Sequence, residues 1–239
     1  EYWTRTVKGA SFRQYVRRKR GSKGEGEEQV YLDVNEVATL PYFVATSGWD
    51  AAQCDVHGVH PSPSGEMLAY SVDGSGYETY NIRLKDLTTG ADLDEQIKDT
   101  AGDVAWAGNG ILFYVVHDAA HRPFQVWRHV LGTAQAEDKM VYEDKDDLYF
   151  ISCYALRDGS LVFIESESKE TTELHFISTA EPLVDSPTLI RKRQFGVRYD
   201  AESHAPSRSL FLTSNADGNF NRRLLRASLD TPSDWAAVT

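Results

Sequence analysis

The chain has 239 residues, of which 41% are hydrophobic and 26% are charged, and this composition excludes a globally disordered protein. The formal net charge is −11. Residues 1–24 carry +7, whereas the remaining residues hold 17 basic and 35 acidic side chains, a net −18. A body this acidic repels nucleic acid and attracts cationic ligands, although an acidic surface also serves solubility alone.

Cysteine usage and the lack of sorting signals indicate the compartment. Cys54 and Cys153 are far apart and fit no metal-binding or redox spacing. The sequence contains no Asn-x-Ser/Thr acceptor, no hydrophobic leader and no apolar run of membrane-spanning length. We therefore expect a soluble cytoplasmic protein with neither nucleic acid nor membrane among its partners.

Residues 1–56 precede the repeated segments of the chain and predict an extended N-terminal connector that leads into them. Apolar and polar residues alternate from Glu1 to Tyr15, which is typical of extended strand. The basic, glycine-rich segment 17–24 predicts an exposed turn, although its run Arg17–Arg20 also resembles a patch that binds anionic surfaces. Residues 29–37 pass from strand toward a short helix.

A turn followed by an alternating apolar strand recurs four times from residue 57 onward. The leading leucines are 44, 49 and 49 residues apart: Leu68, Leu112, Leu161 and Leu210. Each copy continues with a polar turn and further alternating stretches, so it holds three or four antiparallel strands. One such sheet leaves a face uncovered, and stacking the sheets radially buries it, which gives a β-propeller.

The repeat therefore predicts an all-β fold, a partial β-propeller of about four blades. A β-sandwich would also show alternation, but it does not require so regular a period. The blades are expected at residues 57–101, 102–145, 146–193 and 194–239. The last is expected to be incomplete, stopping after its third strand at Asp234–Thr239, and to leave an exposed sheet edge.

A search for catalytic chemistry assigns no catalytic, cofactor-binding or metal-binding residue. No serine has glycine at both −2 and +2, as a serine hydrolase elbow requires. Gly74-Ser75-Gly76 predicts a hairpin turn instead of a nucleophile. His57 and His60 are spaced for one helix face, but Gly58 and Pro61 argue against a helix, so a metal pair is not favoured.

Two polar groups remain as weak candidates for ligand binding. His117 and His121 flank Asp118 in a segment that predicts a polar blade turn. An acidic cluster between two blades suggests attraction for a cation or a basic peptide, with a solvated loop as the simpler interpretation: Glu143, Asp144, Asp146 and Asp147.

Residues 30–143 carry short segments whose order and spacing resemble the start of the propeller of oligopeptidase B, in the prolyl oligopeptidase family. These are Tyr31–Asn35, Tyr42–Phe43, Ser62–Gly65, Ala69–Asp73, Glu78, Tyr80, Lys85–Gly90, Trp106, Phe113–Tyr114, Asp118, Arg122–Pro123, Arg128–Gly132 and Val141–Glu143. Two features depart from the family pattern. Ser64 replaces a frequent aspartate, and residues 48–59 form an unusually long insertion.

The resemblance implies a parent protein with a seven-bladed propeller and an α/β-hydrolase domain. That domain carries a Ser-His-Asp triad and cleaves short peptides after Arg or Lys, while the propeller acts as a gate and size filter. The triad follows the propeller in the chain, so none of its residues is expected before Thr239. The expected partners are this catalytic domain and short basic peptides, with no cofactor.

Two alternatives stay open. The first is a stand-alone propeller that binds partners without catalysis. The second, which is less favoured, is a propeller that binds a metal or a sugar. An adjoining Gly-x-Ser-x-Gly segment would select the peptidase, and metal-dependent thermal stabilisation would select the last alternative.

Overall fold

Almost all of the regular structure is β-strand. The computed structural model of the chain describes residues 1–21, 26–40, 54–218 and 220–238. Within these ranges the strands form five antiparallel sheets, one of three strands and four of four strands. The α-helix α1 (Val34–Val37) has four residues. No helix in the described ranges is long and apolar enough to cross a membrane.

Each sheet is built from strands that follow one another in the chain. Sheet 1 contains β1 (Tyr2–Thr6), β2 (Arg13–Arg18) and β3 (Glu28–Asp33). Sheet 2 contains β4 (Asp55–Pro61), β5 (Met67–Asp73), β6 (Tyr80–Asp86) and β7 (Asp92–Thr100). Sheet 3 contains β8 (Val104–Ala107), β9 (Ile111–His117), β10 (Pro123–Val130) and β11 (Lys139–Glu143). Sheet 4 contains β12 (Phe150–Ala155), β13 (Leu161–Glu167), β14 (Thr172–Ser178) and β15 (Thr188–Leu189). Sheet 5 contains β16 (Tyr199–His204), β17 (Ser209–Ser214), β18 (Arg223–Ser228) and β19 (Thr231–Ala237). Two 3-10 turns lie in connections, at Gln135–Glu137 and Ala205–Ser207.

Apolar clusters lie between consecutive sheets and hold them in a stack. On β5, Leu68 and Tyr70 face sheet 1, whereas Ala69 faces sheet 3, so both faces of sheet 2 are buried. The same alternation joins sheet 3 to sheet 4 and sheet 4 to sheet 5. The first strand β8 contacts the first strands β4 and β12 of the neighbouring sheets, so the sheets are arranged around the side on which these strands lie. The predicted all-β propeller fold is confirmed.

Sheet 1 belongs to this stack and is not the extended connector predicted for residues 1–56. Leu32 on β3 is 2% exposed and packs against β5. The Gln29 side-chain amide donates to the Leu87 carbonyl oxygen of sheet 2 at 3.1 Å. The stack therefore has five sheets instead of about four. Strands β1–β3 lack the turn and leading leucine of the repeat, which is why the repeat did not include them. The short helix predicted within residues 29–37 is confirmed by α1.

Sheet 5 has four strands, so the prediction of an incomplete last blade is wrong. Strand β19 pairs with β18, with Ala236 opposite Arg226 and Ala237 opposite Leu225. It is an edge strand and exposed along most of its length. Only Trp235 packs against the core between sheets 4 and 5. A strand with so little burial shows no apolar alternation, so sequence patterning did not predict it.

The two ends of the stack differ in their connections. From sheet 2 to sheet 5, the chain crosses from each sheet to the next at one end, which we call the crossover end, and the hairpins between the second and third strands of these four sheets lie there too. In one example, the Arg122 guanidinium from the β9–β10 hairpin donates to carbonyl oxygens in the crossing 144–149. In sheets 2–5, the opposite end carries the hairpins between first and second strands and between third and fourth strands. Residues 22–24, Tyr42–Phe43 and 48–53, which entered the predictions above, lie outside the described ranges.

Candidate functional site

The β5–β6 hairpin contains the serine considered as a nucleophile. Asp73 Oδ1 accepts hydrogen bonds from the backbone N–H groups of Ser75 at 2.6 Å and Gly76 at 3.0 Å. It also accepts the Ser75 hydroxyl at 2.7 Å, and Oδ2 accepts the Glu78 N–H at 2.8 Å. Asp73 is buried, so its carboxylate organises the hairpin from inside. The interpretation of Gly74–Gly76 as a turn is confirmed.

His57 and His60 lie on strand β4 at the inner side of the stack, and a β-bulge falls between them. His57 Nε2 is 3.5 Å from Asp103 Oδ1, and this carboxylate raises the pKa of His57. The His60 carbonyl oxygen accepts the Trp106 indole N–H at 2.8 Å. Both residues thus join sheet 2 to sheet 3. The described residues contain no group of three or more His, Cys, Asp or Glu side chains placed to hold a metal ion.

His117 and His121 flank the β9–β10 hairpin, with ring centroids 5.4 Å apart. Asp118 Oδ1 accepts the backbone N–H groups of Ala120 at 2.8 Å and Arg122 at 3.0 Å, and Oδ2 accepts Arg122 Nε at 3.0 Å. Partial burial and the neighbouring His121 lower the pKa of His117, so the His117 ring is neutral at pH 7. The contacts of Asp118 are those of a structured polar turn.

The acidic cluster divides into a buried and an exposed part. Asp144 is buried, and its Oδ2 accepts the Ser166 hydroxyl at 2.5 Å and an Arg193 N–H at 2.6 Å. Burial opposes ionisation, but these hydrogen bonds outweigh it and lower the pKa of Asp144. Asp146 and Asp147 are exposed. The interpretation as a solvated loop is therefore wrong for Asp144, whose carboxylate binds Ser166 and Arg193 inside the fold.

Sequence reasoning missed a carboxylate pair at the crossover end. Glu165 and Glu167 lie on the same face of β13, toward sheet 5, and Arg198 donates to Glu167 at 2.7 Å. Burial and the charge of Glu167 raise the pKa of Glu165 to about 7. The pair opens into a depression of about 500 Å³, whose lining includes Leu148, Phe150, Ser152 and Lys169. Period-two spacing of two glutamates was the available signal, but it does not show which face is buried.

The basic run lies at the opposite end of the stack. Arg17 is held by the side chain of Gln29 and by the Gly65 carbonyl oxygen, and Arg18 pairs with Glu1 at 2.8 Å. Arg20 also lies 3.8 Å from Glu1, so three of the four cations have partners within the fold, and Arg17 connects this run to sheet 2. The structure brings His117, His121 and the acidic cluster to the crossover end, whereas His60 lies near the β4–β5 hairpin and the basic run lies at the opposite end.

Comparisons with known proteins identify the family. The profile described as "Prolyl oligopeptidase, N-terminal beta-propeller domain" matches residues 1–238. The chain belongs to the prolyl oligopeptidase family. It is 32% identical over 244 residues to Protease 2 of Moraxella lacunata, covering 99% of this chain and 33% of that protein. It is 30% identical over 256 residues to dipeptidyl aminopeptidase BI of Pseudoxanthomonas mexicana, covering 99% of this chain and 34% of that protein.

Solved structures of the family agree with the sequence comparison. Oligopeptidase B from Leishmania major superposes with a TM-score of 0.84 at 33% identity, covering 99% of this chain and 32% of that structure. The resemblance inferred from the short segments is confirmed. The chain spans about a third of the length of these relatives. In the relatives the propeller is joined to a catalytic domain within one chain.

Proposed function

We propose that this chain is the propeller part of a serine endopeptidase related to oligopeptidase B, which hydrolyses short peptides after Arg or Lys. The observation that carries the proposal is the similarity to oligopeptidase B over 99% of the chain, at 33% identity and a TM-score of 0.84. The catalytic serine, aspartate and histidine would belong to the remaining two thirds of the polypeptide. On this proposal the chain alone has no peptidase activity.

The proposed role of the propeller is to limit substrate size. Its sheets are joined by buried apolar clusters, so separating two of them would expose core side chains to water. A ring of such sheets is a stiff wall with a narrow central opening, which a short peptide can pass and a folded domain cannot. We also propose a cytoplasmic location, supported by two buried and unpaired thiols, Cys54 and Cys153.

The test is an assay of the polypeptide encoded by the whole reading frame that contains this chain. Blocked peptides that differ only in the residue before the cleaved bond should be hydrolysed after Arg and Lys, and far more slowly after Ala or Asp. The same Arg-containing segment placed in a loop of a folded protein should resist cleavage. Equal rates for all four residues would contradict the Arg/Lys specificity, and cleavage of the folded substrate would contradict the size filter.

Similarity to dipeptidyl aminopeptidase BI supports a second candidate, an enzyme that removes dipeptides from a free N-terminus. The two candidates differ in what they require of the substrate. An endopeptidase cleaves a peptide whose α-amino group is acetylated, whereas a dipeptidyl aminopeptidase needs that group free. Comparing acetylated and free forms of one peptide separates the two activities with the same protein preparation.

The acidic surface suggests how basic peptides would be attracted. Residues 25–239 carry a net −18, which would raise the local concentration of cationic substrates. We expect the association rate of an Arg peptide with the whole enzyme to fall by about tenfold between low and physiological ionic strength, because salt screens long-range attraction. An uncharged peptide is the control. Association rates of the Arg peptide that ignore salt would refute this attraction.

A further inference from the structure

The tip of the β8–β9 hairpin carries the single Asn-Gly step of the sequence, Asn109-Gly110. Both residues are exposed, and they lie at the opposite end of the stack in the three-residue connection between Ala107 and Ile111. Asparagine and glycine are favoured in tight hairpin turns, which accounts for their presence here. The pair is also chemically reactive, because glycine has no side chain to keep its backbone nitrogen away from the side-chain amide of the preceding asparagine.

The side-chain amide of Asn109 is held only at its oxygen. Asn109 Oδ1 accepts the backbone N–H of Ser64, from the β4–β5 hairpin of sheet 2, at 3.0 Å. Within the described ranges, Nδ2 of Asn109 makes no hydrogen bond. By contrast, Asn35 and Asn215 each accept a backbone N–H through Oδ1 and donate to a backbone carbonyl oxygen through Nδ2. The nitrogen of Asn109 is therefore free to depart, whereas those of Asn35 and Asn215 are bound.

The surroundings of Gly110 leave its backbone room to move. A Cβ atom placed on Gly110 would meet no atom within 4 Å, and the φ of this residue lies outside the left-handed region. The Gly110 carbonyl oxygen accepts the Leu131 N–H at 2.9 Å, which ties the tip to the residue that follows β10. An exposed hairpin tip opens locally at a low free energy, so the Gly110 nitrogen reaches Cγ of Asn109 without unfolding of the sheet.

We propose that Asn109 is a site of spontaneous deamidation, with the Gly110 backbone nitrogen as the nucleophile and water as the co-reactant. The Gly110 nitrogen loses its proton to hydroxide and attacks Cγ of Asn109, forming a Cγ–N bond and a succinimide ring. The Cγ–Nδ2 bond breaks, and Nδ2 takes a proton from water and leaves as ammonia, which regenerates the hydroxide. Water then opens the ring at either of its two carbonyl carbons and yields aspartate or isoaspartate. The reaction is independent of the proposed peptidase function.

The two products differ in their effect on the contact between sheets 2 and 3. Aspartate keeps a side-chain oxygen in the place where Oδ1 accepts the Ser64 N–H. Isoaspartate runs the main chain through Cβ and Cγ, so the hairpin tip gains one backbone atom and the oxygen that binds Ser64 becomes part of the main chain. A tight turn between paired strands does not take up an additional atom without changing its geometry. Isoaspartate therefore releases Ser64, and both products add a negative charge to the opposite end.

Peptide mapping by mass spectrometry of the whole polypeptide, incubated at pH 8 for several days, tests the proposal. The peptide that contains residue 109 should gain the mass of replacing NH₂ by OH, and a methyltransferase specific for isoaspartate should label it. The rate should be lower at pH 6, because the attacking nitrogen must lose its proton. Asn35 and Asn215 are the internal controls and should stay unchanged. If Asn109 is unchanged while an unstructured peptide of the same sequence reacts, or if Asn215 reacts equally fast, the proposal fails.

Two variants identify the nucleophile and the effect of each product. Gly110→Ala has room for its methyl group, so it should lose the mass gain while the melting temperature stays nearly unchanged. Asn109→Asp reproduces the first product and should keep the Ser64 amide protected from hydrogen exchange. The isoaspartate form should exchange this amide about tenfold faster, because it loses a hydrogen bond. Deamidation of Gly110→Ala at the unsubstituted rate would rule out the Gly110 nitrogen, and equal Ser64 exchange in both products would overturn the effect on the contact between sheets 2 and 3.

Discussion

His129 is buried between two sheets and contacts a carboxylate on each side. Its ring is 1% exposed, with Nδ1 2.7 Å from Asp138 Oδ1 in sheet 3 and Nε2 2.8 Å from Glu95 Oε1 in sheet 2. Burial opposes the charged ring, but the two carboxylates outweigh it and raise the pKa of His129. In the unfolded chain the ring titrates near its ordinary pKa of about 6.5. The folded state therefore binds an additional proton above that pH, and the His129 contribution to stability, complete below about pH 6.5, is lost as pH rises through the folded pKa.

Replacing His129 should therefore be costly, and most costly at acidic pH. We expect His129→Asn to lower the free energy of unfolding at pH 6 by about 3–5 kcal/mol, because the buried Asp138 carboxylate and the partly exposed Glu95 carboxylate lose their cation. The difference from the unsubstituted chain should shrink as pH rises toward 9. Urea unfolding across this range measures it, with His121→Asn at an exposed histidine as the control. A difference that is constant with pH would show that His129 is not the charged partner.

Substitution of Glu165 is expected to stabilise the fold, unlike substitution of His129. Its pKa is raised to about 7 by burial and by Glu167, so above pH 7 the folded chain holds two charged carboxylates close together. A raised carboxyl pKa means that stability present at pH 4 is lost as pH rises through 7. We expect Glu165→Gln to stabilise the chain at pH 8 by about 1–3 kcal/mol, after allowance for solvent screening, and to change little at pH 4. Thermal unfolding at both pH values, with the exposed Glu170→Gln as the control, measures this. Destabilisation at pH 8 would contradict it.

Among the connections, the crossing 144–149 depends on one side chain from another element. Arg122 donates to the carbonyl oxygens of Asp146 at 3.0 Å and Tyr149 at 2.9 Å, and its Nε pairs with Asp118. We expect Arg122→Ala to speed amide hydrogen exchange in residues 144–149 by about 10- to 100-fold, because hydrogen bonds from a charged group contribute about 1.5–3 kcal/mol. Lysine keeps the charge but not the planar fork, so Arg122→Lys should fall in between. Arg157→Ala, at the opposite end, should leave this exchange unchanged; if it does not, the effect is not local.

The strands also show how far sequence alone predicts this fold. Strands β5, β9, β13 and β17 follow a turn and begin near the repeat's leucines, and their buried apolar side chains made the repeat recognisable in the sequence. Strand β15, with two residues, and the exposed β19 carry no such pattern. The carboxylate pair at the crossover end and the depression beside it depend on which loops meet in space. Residue spacing does not show which loops meet in space. The expected function came from the family resemblance and not from residue spacing.

The chain behaves as one folding unit only if sheet 1 folds and unfolds together with sheets 2–5. In the described ranges, the main contacts between strands of different sheets join neighbouring sheets, so stability is close to a sum of sheets and interfaces, as in repeat proteins. If sheet 1 is a full member of the stack, damage to its interface with β5 should lower the stability of the whole. If it acts as a loose connector, the same damage should stay local.

Leu32→Ala distinguishes these outcomes. Leu32 is 2% exposed in the cluster between sheets 1 and 2, so its truncation should lower the free energy of unfolding by about 2–5 kcal/mol. Val30, on the same strand but 38% exposed, is the matched control, and Val30→Ala should cost less than about 1 kcal/mol. Urea unfolding followed by circular dichroism and tryptophan fluorescence should show a single transition shifted to lower urea for Leu32→Ala. Two transitions, of which only the smaller one moves, would mean that sheets 2–5 fold without sheet 1, since the interface with β5 would then contribute nothing to their stability.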